Sequence, residues 1–355
     1  MWNKTYLTHR IGIKYPIIQA PMAGGATTAE LVSSVSNYGA LGSLGAGYLS
    51  ADQINNTINN IYKLTEKPFS VNLFTPEAHT ATTQHMQKVC DVINQCSDIL
   101  GVITEPVAAP YAPVFEEQVS VLLAKNVPVV SFTFGIPSLE IINQFKKINS
   151  VVIATATSLE EACLLENYQV DAIVIQGSEA GGHRGSFLDK AENSLIPLAD
   201  LLNQVIAKVN LPVIASGGIM NGASIAKLMR LGASATQLGS AFLCADESGI
   251  HQAYKKLLLE QTEDTTTLTS VFSGKLARGL NNQFIQCMQK HRQIILDYPI
   301  QNKLTTKMRN EAKKQGNTDY MSLWAGQNIH LATQLSAKDL LDKLISEVEA
   351  YISNR

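Results

Sequence analysis

The sequence predicts an α/β protein, a TIM (β/α)8 barrel carrying an additional, mostly helical cap. Three observations carry that prediction. Eight short apolar runs recur along the 355-residue chain, and they are continuous rather than alternating, as strands covered on both faces are. Segments with apolar spacing near the helical period separate them. A polar excursion then intervenes before a last amphipathic segment. An open doubly wound sheet is the alternative reading of the same alternation.

The runs, in order, are 16–20 (PIIQA), 40–44 (ALGSL), 69–74 (FSVNLF), 127–134 (VPVVSFTF), 151–156 (VVIATA), 172–176 (AIVIQ), 212–216 (PVIAS) and 235–239 (ATQLG). Helices are expected over 28–37, 51–64, 138–147, 158–168, 198–209 and 223–231. Ser158 reads as an N-cap, with Glu161 three residues on completing a capping box. Residues 75–120 are too long for one crossover helix and contain Pro106, Pro110 and Pro113. These elements divide the chain into a barrel (1–247), a cap over its mouth (248–335) and a returning C-terminal helix (336–355, amphipathic over 337–352). The threonine cluster 265–267 reads as a loop.

Composition narrows the function classes. Hydrophobic residues are 45% and charged residues 16% of the chain, the balance of a folded protein with a large core. A formal net charge of −2 gives no footprint for nucleic acid or an anionic membrane, so small molecules are the expected partners. The first residues lack the apolar core of a signal peptide, and no run reaches the roughly 18 residues of a membrane span. Five cysteines without metal-type spacing read as free thiols in a reducing cytoplasm.

Barrel enzymes keep their active sites at the C-terminal ends of the strands. Here those ends are rich in glycine and uncharged amides. They hold neither paired carboxylates nor clustered Cys and His, so a glycosidase or a metal hydrolase is not supported. The ends of the seventh and eighth runs, SGGIMNG and QLGS, read as the phosphate cradle of a barrel. Gly217, Gly218 and Gly239 let backbone N–H groups approach a phosphate, Ser240 adds a hydroxyl, and the helix beginning near Gly222 is expected to point its positive end at the anion. Neither GxGxxG after the first strand nor GxxxxGK[ST] occurs, which argues against a Rossmann site or a P-loop. One phosphate cradle with amides at Asn72 and Gln176 suits FMN, whose ring has several hydrogen-bonding edges. His183 follows the sixth run in QGSEAGGHRG, flanked by Gly181, Gly182 and Gly185, where an imidazole accepts or donates a proton near neutral pH. Arg184 brings a positive charge beside it, with Glu179 expected to hold it.

At these residues the chain resembles the nitronate monooxygenases (formerly 2-nitropropane dioxygenases) of class I. QAPMAGGATT, LGSLGAGYLS, FSVNLF, SFTFG and QGSEAGGHRG occur in order, followed by FSGKLARGLNN, DYPIQN and LWAGQ. The resemblance implies a TIM barrel with non-covalent FMN and a helical domain over the site. It implies oxidation of an alkyl nitronate, of the propionate 3-nitronate type, by O2 to a carbonyl compound and nitrite through an anionic flavin semiquinone. Carried onto this sequence, it marks Met22, Asn72, Gln176, Gly181, Gly182, Gly217, Gly218, Gln237, Leu238, Gly239 and Ser240 as cofactor contacts. It marks His183 as the active-site histidine, a base toward neutral nitroalkanes and a positioning group toward nitronates. Tyr298, Lys275, Arg278 and Trp324 are candidates to face the substrate. Ala29 stands where many members have Pro, and Ala40 where Gly is common; neither is a marked contact.

The resemblance also allows an FMN-dependent NAD(P)H reductase, of the enoyl-acyl-carrier-protein or quinone type, on the same scaffold, although AGGHRG and SFTFG favour the monooxygenase. A non-catalytic flavin-binding protein is the remaining rival, disfavoured by His183 beside the flavin constellation. Self-association is left open by the sequence.

Overall fold

The computed structural model describes residues 2–354. Eleven strands lie in two sheets. In chain order they are β1 (Ile17–Gln19), β2 (Gly42–Gly45), β3 (Phe69–Phe74), β4 (Val129–Thr133), β5 (Val151–Ala156), β6 (Ala172–Gln176), β7 (Gly182–His183), β8 (Val213–Ser216), β9 (Ala235–Leu238), β10 (Thr266–Thr269) and β11 (Ala277–Leu280). Eight of them form one all-parallel sheet in the order β1-β9-β8-β6-β5-β4-β3-β2. A bridge between Ile18 and Leu41 brings its two edges together, so the barrel is closed around. Every residue of β5 and β2 is buried, as the unbroken apolar runs require.

Three apolar layers follow from this arrangement. Ile17, Val71, Phe132, Ala154, Ile175 and Leu238 face outward into the layer between strands and helices. A smaller cluster fills the bottom of the barrel, where Ile18, Val129, Ile153, Val174 and Ile214 meet Leu7 and Ile11 of a short helix, Tyr6–Ile11. That helix, capped by Thr5 in a full capping box, plugs the N-terminal end and leaves the other end as the open one. The third cluster is the cap's, and it is built from two distant pieces of chain. Met86, Val89 and Ile93 of the helix Thr83–Cys96 pack with Phe284, Leu304 and Met308 from beyond β11.

The barrel helices lie where apolar spacing puts them, to within three residues at each end: Ala29–Tyr38, Ala51–Leu64, Leu139–Lys147, Leu159–Asn167, Leu198–Ile206 and Gly222–Arg230. The helix Ala337–Ser353 returns to bury Leu340, Leu341, Leu344 and Val348 in the outer barrel layer. Between Ala245 and Ala337 the chain leaves and comes back through one neck: Asp246 N donates to Leu335 O (3.0 Å), and Ala337 N to Glu247 Oε2 (2.9 Å).

Four expectations are corrected. The threonine cluster is not a loop; Thr266 and Thr267 open β10, because β-branched residues suit the edge that pairs antiparallel with β11. Two of the five cysteines are not free. Cys96 and Cys287 form a disulfide across the cap core, 191 residues apart in sequence with Cα atoms at 5.8 Å, a separation that no local spacing signals. Ser158 caps its helix, but the Glu161 carboxylate does not close a capping box; it accepts instead from Thr157 N (2.6 Å) and from Phe187 N (2.6 Å). The helix that begins at Gly222 does not offer its N-terminus to a ligand. Gly222 N donates to Glu347 Oε2 (2.7 Å), so a carboxylate of the C-terminal helix already sits there.

Candidate active site

The open end of the barrel and the cap enclose a cavity of about 290 Å3, near the lower end of the roughly 300–1,000 Å3 usual for ligand pockets. Met22, Asn72, Gln176, Gly181, Gly182, His183, Gly217, Gly218, Gln237, Gly239 and Ser240 all line it. Leu238 does not. Strand alternation turns Gln237 inward and sends Leu238 into the outer apolar layer, its carbonyl accepting from Ala20 N (2.8 Å).

The donors at the strand ends are largely unspent. Among the described residues, no hydrogen bond within the chain engages the N–H groups of Gly218, Ile219 or Gly239. Gly218 stands at φ +63°, a left-handed conformation that glycine adopts without penalty. Ser240 Oγ accepts from Gly326 N (2.9 Å) and keeps its own proton to donate. Asn328 Nδ2 donates to Gly218 O (2.6 Å), so the LWAGQ segment buttresses both loops from above. This donor set fits one phosphate group. Asn72 spends its Nδ2 on Ser131 Oγ (3.0 Å) and Thr133 Oγ1 (3.2 Å), leaving its carbonyl oxygen for a ligand edge. Gln176 is used differently: Nε2 donates to His183 O (2.9 Å) and Oε1 accepts from Gly185 N (2.9 Å). Its amide first fixes the segment that carries His183.

That segment is not a flexible loop. Gly182 and His183 form β7 and pair antiparallel with Arg278 and Ala277 of β11, so the histidine sits on the edge of a cap sheet. Gly181 is pressed against the cap: a Cβ there would lie 2.5 Å from Ala325 C and Gly326 N. Arg184 is fully buried and donates to the carbonyls of Gly177 (2.6 Å), Gln176 (3.0 Å) and Ser194 (3.0 Å). Glu179 does not hold it, contrary to expectation. The Glu179 carboxylate accepts from Leu198 N (3.0 Å), because the helix Leu198–Ile206 has no side-chain cap of its own.

His183 Nε2 lies 2.8 Å from Ser273 Oγ. Ser273 Oγ in turn donates to Lys275 O (3.1 Å) and accepts from Lys275 N (3.2 Å). All three contacts are satisfied only if Nε2 carries the imidazole proton, which assigns the tautomer and leaves Nδ1 as the acceptor. Burial first, and then the charges of Arg309 and Lys275, pull the imidazole pKa down to about 3. His183 is therefore neutral across the ordinary pH range. Its ring packs against Phe134 (5.8 Å) and Trp324 (5.3 Å). Phe134 holds φ +72° at the end of β4, a strained conformation for a bulky residue and one found mostly at functional sites.

Of the four cap candidates, Trp324 lines the cavity and the others do not. Tyr298 stands behind Phe134, with ring centroids 5.5 Å apart. Lys275 is ion-paired with Glu77, and its Nζ lies 4.5 Å from the Phe134 centroid. Arg278 donates to Ser178 O (3.1 Å) and Thr266 Oγ1 (3.1 Å), joining β11 to the barrel. Sequence reasoning missed Tyr48, Arg309, Lys313 and Asn328, which also line the cavity. Tyr48 lies in the quoted LGAGYLS motif and Asn328 directly follows LWAGQ, so motif position was a usable signal for both. Among the described residues there is no cluster of His, Cys, Asp and Glu that would hold a metal.

Comparison with known proteins settles the lineage. The family model described as nitronate monooxygenase matches residues 4–347. The chain belongs to the nitronate monooxygenase family. It is 40% identical to a probable nitronate monooxygenase of Staphylococcus haemolyticus over 99% of both chains. It is 41% identical to one of Staphylococcus aureus over 98% of both. Among solved structures, nitroalkane oxidase from Streptomyces ansochromogenes superimposes with a TM-score of 0.89 at 36% identity, covering 98% of this chain and 99% of that one. FabK from Thermotoga maritima superimposes with a TM-score of 0.78 at 27% identity, covering 99% and 98%. As a nitronate monooxygenase family member the protein is an oxidoreductase, and a flavin is the redox group that the family implies. No helix among the described residues is long and apolar enough to cross a membrane.

Proposed function

We propose that the protein binds FMN and oxidises an alkyl nitronate with O2, giving a carbonyl compound and nitrite. FMN, when bound, would accept electrons from the nitronate and pass them to O2. The unspent N–H groups of Gly218, Ile219 and Gly239, with the Ser240 hydroxyl, would hold its phosphate. Asn72 and Gln237, both facing the cavity, would meet the ring edges.

The observation that carries the reading is the placement of His183: at the cavity wall, fixed on β7 by Gln176 and Ser273, with Nδ1 free to accept. A neutral imidazole can receive a proton from the α-carbon of a nitroalkane. Toward a nitronate, already deprotonated, it has no proton to remove and serves to position the anion. The cations of Arg309 and Lys275 near the ring favour negative charge on what binds beside it. Phe134 and Trp324 keep bulk water from that side. Three free thiols, Cys90, Cys163 and Cys244, favour a cytoplasmic setting, although the Cys96–Cys287 pair does not.

The test is to purify the protein, record its visible spectrum, and add propionate 3-nitronate without air, with NADH in parallel. A flavin spectrum altered by the nitronate alone, followed by nitrite release once air is admitted, supports the reading. Full bleaching by NADH with no response to the nitronate would replace it with the reductase reading.

A further inference from the structure

Two side chains hold His183, and they do different things. Gln176 Nε2 donates to its main-chain carbonyl (2.9 Å) and fixes where the residue stands. Among the described residues, only Ser273 Oγ, at 2.8 Å, makes a hydrogen-bond contact with a ring nitrogen. Ser273 is 2% exposed, and the turn that presents it has little slack. Ser273 N and Gly274 N both donate to Ser270 O (3.3 and 2.8 Å). Gly274 stands at φ +81°, and a Cβ there would lie 2.1 Å from Leu296 O and 2.6 Å from Tyr298 N, so the turn is pressed onto residues 296–298. The fully buried Gln301 ties the same two segments together: Nε2 donates to Val271 O (2.8 Å), and Oε1 accepts from Leu296 N (3.3 Å).

The turn also decides what the Ser273 hydroxyl can do. A hydroxyl has one proton and two lone pairs. Here the proton goes to Lys275 O (3.1 Å), and one lone pair goes to Lys275 N (3.2 Å). A single lone pair is left for the imidazole. A ring carrying its proton on Nδ1 would set two lone pairs against each other at 2.8 Å, or would make the hydroxyl abandon Lys275 O. Lys275 is itself anchored through its side chain. Its Nζ pairs with Glu77, whose Oε2 lies 3.2 Å from His79 Nε2, and His79 Nδ1 lies 3.6 Å from Asp297 Oδ2. The free nitrogen, Nδ1, has no partner among the described residues, and the ring lines the cavity.

We propose that Ser273 is a positioning residue: kept as an acceptor by the Lys275 main chain, it locks the His183 ring with its proton on Nε2 and its Nδ1 lone pair available to the cavity, and so sets how well the protein handles neutral nitroalkanes relative to preformed nitronates. This rests on the reading of His183 as the base toward nitroalkanes. In that step a C–H bond breaks, its electron pair stays on the substrate as the nitronate, and the proton goes to Nδ1. The Nε2–H bond to Ser273 Oγ survives the transfer, so the same oxygen then faces an imidazolium. Arg309 and Lys275 both oppose that charge, which leaves Ser273 as the ring's hydrogen-bonding support. A nitronate needs no such transfer.

The test has two readouts on flavin-loaded protein. The first is nitrogen NMR of protein labelled with 15N-histidine, with the His183 signals assigned by their loss in His183→Asn. Wild-type His183 should show a protonated Nε2 and a bare Nδ1 at pH 7. The second is turnover of nitroethane against ethyl nitronate in Ser273→Ala. Nitroethane kcat should fall about 10- to 100-fold, part of the roughly 100- to 10,000-fold that a general base contributes. Ethyl nitronate kcat should fall far less, with its loss mainly in KM. Ser273→Thr, which keeps the hydroxyl, should restore most of the nitroethane rate. A protonated Nδ1 in the wild type, equal kcat losses on both substrates in Ser273→Ala, or no loss on either would overturn the proposal. If the wild type turns over ethyl nitronate but not nitroethane, the base reading fails, while the NMR signals of wild type and Ser273→Ala still decide whether Ser273 locks the ring: unchanged shifts in the variant would refute it.

Discussion

Glu161→Gln is the substitution through which the local design of the site is best tested. The carboxylate is 2% exposed and accepts four hydrogen bonds: from Thr157 N (2.6 Å) and Thr157 Oγ1 (2.8 Å) on one oxygen, and from Phe187 N (2.6 Å) and Leu188 N (3.1 Å) on the other. It thereby ties the end of β5 to the chain just past His183. An amide of the same shape turns one of those oxygens into a donor. Facing residues 187 and 188, the new NH2 strands two backbone N–H groups. Facing Thr157, it strands one, because the hydroxyl can turn to accept. The cheaper choice still costs one buried unsatisfied donor, and the remaining bonds lose their charge, for a total of about 3 kcal/mol. Unfolding entropy of about 2.1 cal/mol/K per residue gives roughly 0.75 kcal/mol per degree for a chain of 355 residues. The midpoint should therefore fall by about 4 °C in a thermal melt. Ser158→Ala removes only the helix cap, worth about 1 kcal/mol, and should lower it by roughly 1 °C. Turnover of Glu161→Gln should fall about tenfold or more, since an ångström of drift at His183 is enough. If Glu161→Gln melts with the wild type while Ser158→Ala costs more, the carboxylate is not an anchor for the His183 segment.

Other outcomes are expected from the same geometry. His183→Asn should slow turnover of neutral nitroalkanes far more than of preformed nitronates; equal losses on both would show that Nδ1 is not the proton acceptor. Gly218→Asp should abolish retention of flavin, because it sets a carboxylate against the proposed phosphate and forces a Cβ to within 2.9 Å of Glu179 Cβ. A variant that purifies fully yellow would move the phosphate elsewhere. Stability should depend on pH through His183. Its pKa is about 3 in the fold against an ordinary 6.5, so both states are neutral above pH 6.5 and nothing is lost there. Below 6.5 the unfolded chain takes up a proton that the fold refuses, and stability falls by up to about 1.4 kcal/mol per pH unit. Melting curves at pH 7 and pH 5 should show a larger drop for the wild type than for His183→Asn, and identical drops would contradict the buried, neutral imidazole.

The barrel was legible because strands covered on both faces cannot hide their apolar runs, and because βα turns put glycines and amides at their ends. Asn72, Gln176 and Gln237 were found by that rule alone, each at the last or an inward position of a strand. What was not legible depends on distance in sequence. Arg309 and Lys313 sit on a helix whose polarity reads as a solvated surface, and only the cap's placement turns one of its faces into a cavity wall. Cys96 finds Cys287 through a core that joins two remote segments. Glu161 obeys the local rule of a capping box in sequence but answers to Phe187 and Leu188, which the next βα unit brings alongside. Leu238 falls in the outer apolar layer because a motif names consecutive residues, whereas a strand turns only every second side chain to the cavity.

The neck at Asp246, Glu247 and Leu335 has a consequence for how this protein can be altered. The segment between those residues leaves and rejoins the barrel at points one hydrogen bond apart, so it is an insertion whose removal would leave a gap that a very short turn can close. Such a cassette is exchangeable: a segment from a relative, with different side chains at Tyr298, Arg309 and Trp324, would bring a new roof to an unchanged floor of glycines and amides. The exchange carries one condition. The helix Thr83–Cys96 shares the cassette's core and its disulfide, so it has to travel with the cassette as a second graft. A change of roof therefore has to be made at two places in the chain together.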